Sequence, residues 1–548
     1  MKICFGLLIV LLLTPVLSLN AQDGHSDKTS FTKQDTLRGS ITPQRAWWDL
    51  TYYDLDIKVD PENKFISGKN TIQYKVLAND SVMQIDLQPP MKLLKVVQNG
   101  KELKIQDHGN AHFISLIDTQ KIDDINHLTV HYEGHPKEAE RAPWDGGISW
   151  KKDNNGNHFI ASSCQGLGAS VWWPCKDHMY DEVDSMQISV NVPSKLTNVS
   201  NGRLRRIERI GDTKTFTWVV KNPINNYGVN INIADYANFS EVYDGQGGNL
   251  DMDYYVLRYN LEKAKEQFKQ APMMMEAFEH WFGQYPFYAD SFKLVEAPYL
   301  GMEHQSSVTY GNGFKNGYLE SDLSGTGWGL KFDFIIIHEA GHEWFANNIT
   351  NKDVADMWIH EGFTAYSENL YLDYHFGKEA SAEYVIGTRK RIQNDRPLIG
   401  HYNVNKAGSG DMYYKGSNLL HTLRQLIKDD EKWRKILRKI NVEFYHETVT
   451  TKQIEDFLSK ETGIDLKAFF NQYLRSTMVP TLEYTVKKKT LKYRWTTIVD
   501  GFDMPIQIKI NNKEQWLFPK SEWQETTLDS KIDAFEIDVD FYVESKQL

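Results

Sequence analysis

The sequence predicts a multidomain α+β fold in which strands come first, helices follow and strands return at the end. Residues 46–248 contain short runs that alternate polar and apolar side chains, such as residues 54–59 and 187–192, with turn clusters between them. Residues 249–479 change to helical periodicity, and residues 480–548 return to strand patterns. Because 548 residues exceed what one hydrophobic core holds, we expect an antiparallel β domain, a mostly helical domain and a small β domain.

The individual elements follow from local periodicity and from breakers such as Pro and Gly. Helices are predicted over residues 261–282, 329–348, 358–376, 378–394, 413–428, 431–441, 452–460 and 465–474. In the last domain, strands are predicted over residues 482–487, 491–497, 506–510 and 535–539, and Pro480 marks the boundary before them. We find no internal repeat and no low-complexity tract in the sequence.

The first 45 residues are predicted to lie outside the fold. Residues 1–21 resemble a signal peptide, with Lys2 as a short basic start, an apolar stretch over residues 5–13 and a cleavage point after Ala21. This pattern predicts an exported protein, periplasmic or secreted, with no stable membrane span after cleavage; an uncleaved membrane anchor is the alternative. Residues 22–45 are polar and lack periodicity, which predicts a linker or a disordered leader.

The charge excludes some partners, and the cysteines leave two states open. A net charge of −11 argues against nucleic acid or an anionic membrane surface as a partner.

After signal cleavage only Cys164 and Cys175 remain. They form one disulfide or stay buried thiols, because sequence spacing does not report the spatial geometry that a disulfide needs. The sequence does not indicate an oligomeric state.

Residues 338–342, which read HEAGH, and the later Glu361 point to a metal ion. On a helix, side chains four residues apart share one face, so His338 and His342 can offer two imidazole nitrogens to one ion. Catalytic zinc commonly takes three protein ligands and keeps one position for water, and Glu361 can supply the third ligand. Glu339 then lies where it can accept a proton from that water. These residues predict a zinc hydrolase with one Zn²⁺ per chain.

The sequence context favours a metal site over two core histidines and a surface glutamate. Residues 332–337 are largely apolar, and Trp344 and Phe345 continue the apolar pattern after the motif. Residues 358–372 carry an apolar stripe on a second predicted helix, with Glu361 near its start. We therefore expect the histidines in the middle of one helix and the third ligand at the beginning of the next.

These motifs resemble the M1 metallopeptidases, the gluzincin aminopeptidases that include aminopeptidase N and leukotriene hydrolase. The family pattern H-E-x-x-H-x-W-F-x-N matches residues 338–347, and W-x-N-E-G-F matches residues 358–363 except that His360 replaces the usual Asn. The resemblance covers essentially the whole mature chain, in matching domain order. It implies a saddle-like N-terminal β domain, a thermolysin-like catalytic domain and a C-terminal β-sandwich domain, without the large helical C-terminal domain of many relatives.

The same resemblance assigns substrate-binding residues. The family stretch G-x-M-E-N is similar to residues 300–304, whose first and last residues depart from the pattern. It implies that Gly301 and Met302 bind substrate and that Glu303 binds the free α-amine, which makes the enzyme an exopeptidase. Gln165, in a loop that the β domain sends toward the site, matches the glutamine that helps to hold this amine.

Two further residues take roles from the family pattern. The motif Tyr-x-Lys-Gly matches residues 413–416, so Tyr413 is expected to donate a hydrogen bond to the oxyanion, a contact commonly worth about 3 kcal/mol. Glu368 matches a carboxylate that hydrogen-bonds a zinc-ligand histidine and fixes its orientation. Without the family pattern, Tyr413 would be a packing residue and Glu368 an exposed helix residue.

The resemblance implies an aminopeptidase acting on peptides with a free N-terminus. Two other classes stay open: an enzyme that opens a lipid epoxide at the same zinc, as one branch of the family does, and a catalytically inactive binding homologue. All predicted ligands, the base and Tyr413 are present, which favours the active enzyme, and Glu303 disfavours an endopeptidase. Zinc analysis with assays on an aminoacyl-nitroanilide and a lipid epoxide separates the three classes.

Overall fold

The computed structural model describes residues 30–548 and has the predicted order of a β-rich domain, a mostly helical domain and a small β domain. The predicted signal peptide, residues 1–21, lies outside the described residues. Within residues 30–548, none of the helices combines the length and the apolar character needed to cross a membrane.

The N-terminal domain is built from three sheets. Its strands are β1 (Trp48–Asp60), β2 (Phe65–Val76), β3 (Asp80–Asp86), β4 (Lys92–Gln98), β5 (Lys101–Glu102), β6 (Lys104–His108), β7 (Ala111–Gln120), β8 (Ile125–Gly134), β9 (Gly147–Lys152), β10 (His158–Ser163), β11 (Ser185–Pro193), β12 (Thr197–Val199), β13 (Arg203–Ile210), β14 (Thr213–Val220) and β15 (Asn232–Ala234). The largest sheet has the order β13-β14-β11-β1-β2-β8-β4-β5, and the other two are β12-β15-β10-β9 and β3-β7-β6. The predicted antiparallel pairing holds between these strands except that β1 pairs with β11 in parallel, with Leu55 opposite Ile188.

The second half of the predicted linker over residues 22–45 is folded, which corrects that expectation. α1 (Lys33–Gly39) begins with a capping box, and α2 (Pro43–Ala46) follows it. The side chain of Arg45 is fully buried, and its Nη2 lies 2.7 Å from Asp86 Oδ2. The sequence did not reveal these helices because a charged residue, instead of an apolar stripe, attaches them to the β domain.

The helical domain begins earlier than the predicted boundary at residue 249. β16 (Tyr236–Gly245) and β17 (Gly248–Leu257) pair along their whole length. They continue into a five-stranded sheet of order β16-β17-β18-β20-β19, completed by β18 (Phe292–Glu296), β19 (Gly301–Met302) and β20 (Val308–Tyr310). β17 continues as a strand to Leu257, past the predicted boundary, and local strand patterns do not report which sheet a strand joins.

Helices form most of the rest of this domain. They are α3 (Leu261–Gln267), α4 (Gln270–Phe282), α5 (Phe334–Gly341), α6 (Trp358–Phe376), α7 (Lys378–Thr388), α8 (Tyr414–Ile427), α9 (Asp430–Glu443), α10 (Thr451–Thr462) and α11 (Lys467–Arg475). A two-stranded sheet, β21 (Ile349–Asn351) with β22 (Glu447–Val449), lies among them. The helix predicted over residues 329–348 is much shorter, because Asp333 caps α5 at its start and regular helical structure ends at Gly341.

The C-terminal domain is a small sandwich of two sheets, as predicted. Its strands are β23 (Thr481–Lys487), β24 (Thr490–Thr496), β25 (Ile506–Ile510), β26 (Lys513–Leu517), β27 (Gln524–Thr527), β28 (Phe535–Ile537) and β29 (Glu544–Gln547). One sheet has the order β27-β24-β23-β29 and the other β26-β25-β28. Buried Trp495 and Ile508, one from each sheet, belong to the same apolar core as the catalytic helices.

α6 and α8 touch backbone to backbone. A Cβ on Gly416 of α8 would lie 2.8 Å from the Cα of Gly362 in α6, so a larger residue at either place would push the helices apart. Gly362 directly follows Glu361, and Gly416 comes three residues after Tyr413. This close approach therefore sets the spacing between the predicted third metal ligand and the predicted oxyanion donor.

Arg45→Ala is expected to destabilise the fold although the residue precedes the first strand. The change leaves the buried Asp86 carboxylate without its positively charged partner, which typically costs about 3–5 kcal/mol. Urea unfolding measures the free energy of unfolding, and Lys33→Ala, an exposed change on α1, is the matched control. Equal and small effects of the two changes would show that this segment is not part of the folded unit.

Candidate active site

α5 is short, apolar and firmly capped. Asp333 accepts hydrogen bonds from the backbone N–H of Ile335 at 3.1 Å and from the Tyr310 hydroxyl at 2.7 Å. Burial raises the pKa of Asp333 to about 6. Every residue of α5 is buried, so the helix is fixed in rotation and presents His338 and Glu339 to a cavity.

Both histidines of the motif are oriented through their Nδ1 atoms. His338 Nδ1 lies 2.8 Å from Glu368 Oε1. His342 Nδ1 lies 3.0 Å from the Phe345 carbonyl oxygen and 3.0 Å from Thr364 Oγ1. Partners of this kind fix the tautomer and ring orientation of metal-binding histidines. His342 is the C-cap of α5, not a mid-helix residue as predicted, yet the two rings still lie 5.0 Å apart between centroids.

The three predicted metal ligands converge on one point. Glu361 Oε2 lies 3.7 Å from His338 Nε2 and 3.3 Å from His342 Nε2, and ligand atoms of all three residues lie within 4.8 Å of one another. All three side chains are buried, and Glu361 Oε2 has no hydrogen-bond partner within residues 30–548. Two imidazole nitrogens with an orphaned, buried carboxylate oxygen form a donor set that fits zinc.

The charges around this point favour a bound cation. Although burial acts to raise the pKa of Glu361, His342 and His338 lower it well below its usual value. Burial acts to lower the pKa of His338, but the neighbouring carboxylates of Glu361 and Glu368 raise it well above its usual value. Burial raises the pKa of Glu339 to about 7, against the opposing effect of His338. A divalent cation would replace the protons that the histidines otherwise carry.

Glu303 places a further carboxylate in the same cavity, and the N-terminal domain holds it. Gln165 Nε2 donates to Glu303 Oε1 at 2.6 Å and to Glu361 Oε1 at 3.2 Å. The Tyr227 hydroxyl also donates to Glu303 Oε1, at 3.1 Å, and Asn347 Nδ2 donates to the Glu303 carbonyl oxygen at 2.9 Å. Burial raises the pKa of Glu303. One glutamine thus connects the predicted amine anchor with the predicted third metal ligand.

The cavity has a volume of about 110 Å³ and lies between the two larger domains. Gly301 lets β19 lie against Glu339, since a Cβ there would be 2.8 Å from Glu339 Oε1. The Tyr413 ring, at the start of α8, stacks on His338 with a centroid distance of 5.9 Å. The lining residues are Pro143, Trp144, Gln165, Gly166, Gly301, Met302, Glu303, His338, Glu339, His342, Val354, Met357, Glu361, Ala407, Met412 and Tyr413. The structure thus brings together every predicted site residue, with Glu368 behind His338.

Two residues that depart from the family pattern are buried, neutral histidines. His304 Nδ1 lies 3.3 Å from Thr309 Oγ1, and His360 Nε2 accepts a hydrogen bond from the Asn351 backbone N–H at 2.7 Å. Burial lowers the pKa of both imidazoles to about 3. Neither histidine lines the substrate cavity, so these departures change packing beside the site and leave its lining intact.

The two cysteines are free and buried, which decides between the two states that the sequence left open. Burial raises the pKa of the Cys164 thiol to about 12 and raises the pKa of the Cys175 thiol well above its usual value. A thiol that stays protonated is a poor nucleophile and a poor metal ligand, so both cysteines are packing residues.

The sequence did not single out several side chains that hold the predicted ones. Tyr227 bonds Glu303, Thr364 bonds His342, and the Tyr384 hydroxyl donates to Glu368 Oε2 at 2.6 Å. A lone Tyr or Thr carries no motif, and Tyr227 lies 76 residues from its partner. The polar run of residues 225–228 within a strand-rich domain is the one local signal that could have identified Tyr227.

Similar proteins include aminopeptidases and a zinc metallopeptidase. The chain is 20% identical over 508 residues to "Probable aminopeptidase 2" of Sulfurisphaera tokodaii, covering 89% of this chain and 62% of that protein. It is 19% identical to the leucyl aminopeptidase of Saccharolobus solfataricus, covering 77% and 54%. A mutant M1 zinc metallopeptidase of Deinococcus radiodurans, solved with a Tyr-Ser-Ala substrate, shares the fold with a TM-score of 0.67 at 18% identity, covering 81% of this chain and 98% of that one.

Family models cover both larger domains. The chain spans about 60% of the length of the curated relatives it matches. The model described as the peptidase M1 N-terminal domain matches residues 50–227, and the model of the peptidase family M1 domain matches residues 266–473. The second match includes the candidate metal ligands His338, His342 and Glu361, and also Glu339 and Tyr413. The chain therefore belongs to peptidase family M1.

Proposed function

We propose that this chain is a zinc-dependent aminopeptidase that hydrolyses the first peptide bond of peptides with a free N-terminus. The observation that carries the proposal is the place of Glu303, a buried carboxylate in the same cavity as the candidate metal ligands. A carboxylate in a closed cleft pairs with an ammonium group and so fixes where a peptide must begin. Relatives named aminopeptidases and a structural neighbour solved with a peptide substrate support this class of reaction.

His338, His342 and Glu361 would hold one zinc ion per chain. When bound, such an ion polarises the scissile carbonyl and lowers the pKa of water to about 7. Glu368 accepts from His338 Nδ1 and thereby keeps the opposite nitrogen of that ring facing Glu361. Thr364 has the same effect on His342.

Glu339 is the proposed general base. Its carboxylate lines the cavity, and the backbone of Gly301 lies against it on one side. It accepts the proton of the attacking water and then gives this proton to the nitrogen of the departing peptide. The carboxylate ends the cycle in the state in which it began.

Tyr413 and Glu303 position the two ends of the reacting group. The Tyr413 hydroxyl donates a hydrogen bond to the carbonyl oxygen as negative charge develops there, a contact worth about 3 kcal/mol. Glu303 binds the substrate ammonium, with Gln165 beside it. Tyr227 and Gln165 both donate to Glu303 Oε1, and these two hydrogen bonds orient the carboxylate.

Glu339→Gln should abolish most turnover while zinc stays bound. The amide keeps the size of the side chain but cannot accept the proton, and loss of a general base commonly lowers kcat by about 10²- to 10⁴-fold. Assays on aminoacyl-nitroanilides with zinc analysis of the same preparation measure both quantities. Glu379→Gln on the exposed face of α7 is the control, and full activity of Glu339→Gln would refute the assignment.

Glu303→Ala should raise KM for aminoacyl substrates by about tenfold or more, because a charge-assisted hydrogen bond is lost. The wild type should discriminate strongly against N-acetylated substrates, and the variant should lose much of that discrimination. Tyr227→Phe, which removes one neutral donor to the same carboxylate, should have a smaller effect of the same kind. Unchanged KM and kcat in Glu303→Ala would show that the amine binds elsewhere.

Glu368→Ala should weaken zinc binding by about 10- to 100-fold, because His338 loses the acceptor that orients its ring. Competition with a chelating dye measures the Kd without reference to activity. Glu379→Ala, an exposed change on the neighbouring helix α7, is the matched control. The same Kd in the wild type and Glu368→Ala would contradict the role of Glu368.

A further inference from the structure

Glu343, the residue after the second candidate metal ligand, is a buried carboxylate that the proposed mechanism does not use. Its Oε1 accepts a hydrogen bond from the Ser306 backbone N–H at 2.8 Å, and its Oε2 accepts one from the Tyr285 hydroxyl at 3.2 Å. Neither Glu343 nor its two partners line the substrate cavity. Any effect of Glu343 on the site therefore acts through the groups that it holds.

Ser306 belongs to the loop that begins with Glu303, directly after β19. Its backbone lies in the left-handed region, with φ of 53°. A residue other than glycine keeps this conformation only where its surroundings fix it. Glu343 binds the N–H of Ser306, and the Ser306 hydroxyl accepts from the Gly202 backbone N–H at 2.9 Å. Both hydrogen bonds are buried, so the loss of either would leave a polar group unpaired.

The segment that follows α5 holds the anchor loop, residues 303–306, at both of its ends. Asn347 Nδ2 donates to the Glu303 carbonyl oxygen at 2.9 Å, and Glu343 binds Ser306. Asn347 is part of the family pattern, whereas Glu343 occupies one of its variable positions. The hydrogen bond from Ser306 is therefore a feature of this chain that the motif does not predict.

We propose that Glu343 is a positioning residue that fixes the amine anchor relative to the metal site. This inference rests on the proposed function, because that function assigns Glu303 to the substrate ammonium. His342 and Glu343 are consecutive residues at the end of α5, so one stretch of backbone carries both a metal ligand and the contact to Ser306. The distance from the ammonium to the metal decides which peptide bond is cut. Glu343 acts on the binding of the free N-terminus and not on the metal.

Glu343→Met and Glu343→Gln isolate the hydrogen bond from Ser306. Both variants remove the same negative charge and have side chains of similar size, but only Gln offers an oxygen to the Ser306 N–H. Glu343→Met should raise KM for aminoacyl-nitroanilides about tenfold with kcat nearly unchanged, because a displaced positioning group weakens substrate binding. Glu343→Gln should keep a KM close to that of the wild type. The Kd for zinc, measured with a chelating dye, should be the same in all three proteins.

Tyr285→Phe is the matched control, because it removes the other hydrogen bond of the same carboxylate and leaves the Ser306 contact intact. It should leave KM near the wild-type value. Glu343→Asp keeps the charge but shortens the side chain by one methylene group. It should raise KM in the same direction as Glu343→Met, and it keeps the test decisive if thermal unfolding shows that Glu343→Met is not folded.

A double variant tests whether Glu343 acts through Glu303. In the Glu303→Ala background, Glu343→Met should raise KM no further, because the anchor that it positions is already absent. Additive effects of the two changes would instead indicate a general packing defect and would overturn the role of Glu343.

The outcomes separate this inference from the proposed function. A wild type that cleaves no aminoacyl substrate overturns the proposed function. An active wild type whose KM is retained in Glu343→Met and Glu343→Asp overturns the role of Glu343 alone. Equal rises of KM in Glu343→Met and Glu343→Gln, or an equal rise in Tyr285→Phe, also overturn it, because the hydrogen bond from Ser306 would then not be the cause.

Discussion

The candidate site depends on balancing the negative charge that the fold buries in one cavity. Glu303, Glu339 and Glu361 are 3%, 8% and 3% exposed, and like charges at close range in a low-dielectric interior repel strongly. The two histidines relieve this repulsion only by carrying protons or by sharing a cation. A zinc ion would place two positive charges at Glu361, and a substrate ammonium would add one at Glu303. The charge pattern therefore favours a cation beside Glu361 and, under the proposed function, an ammonium group beside Glu303.

A charge balance of this kind works only if the carboxylates cannot move apart, and the packing of several elements prevents such movement. Gln165, from the N-terminal domain, donates to both Glu303 and Glu361 and so fixes their separation. The contact between Gly362 and Gly416 fixes α6 against α8. The hydrogen bonds at the start of α5 fix the rotation of the helix that carries His338. The first two of these contacts join parts of the chain that are distant in sequence.

The sequence predicted well what depends on local spacing. Two histidines four residues apart meet because a helical turn brings them together, and that holds even though α5 ends at Gly341. Strand and helix periodicity likewise predicted the order of the three domains. Local patterns do not report which sheet a strand joins, so the boundary at residue 249 was placed too late.

Contacts between distant residues account for the remainder that the sequence did not predict. Arg45 is buried because Asp86 lies opposite it, and nothing near Arg45 in the sequence reveals that carboxylate. The same is true of Tyr227 and its partner Glu303. A polar segment without periodicity was therefore expected to be a leader, whereas charged side chains attach it to the β domain. Hydrophobic periodicity detects segments that apolar contacts hold, and it does not detect those that ion pairs hold.

The ion pairs of the N-terminal segment are better understood as constraints on geometry than as sources of stability. Asp86 Oδ2 accepts from Arg45 Nη2 at 2.7 Å and from the backbone N–H of Asp177 at 3.0 Å, and Asp177 in turn pairs with Arg38. One network thus runs from Arg45 on α2 through Asp86 and Asp177 to Arg38 on α1. Apolar residues of equal volume often stabilise a fold as well as a buried ion pair does, but they lack its directional bonds. The directional bonds of Arg38 and Arg45 therefore fix where α1 and α2 lie against the β domain.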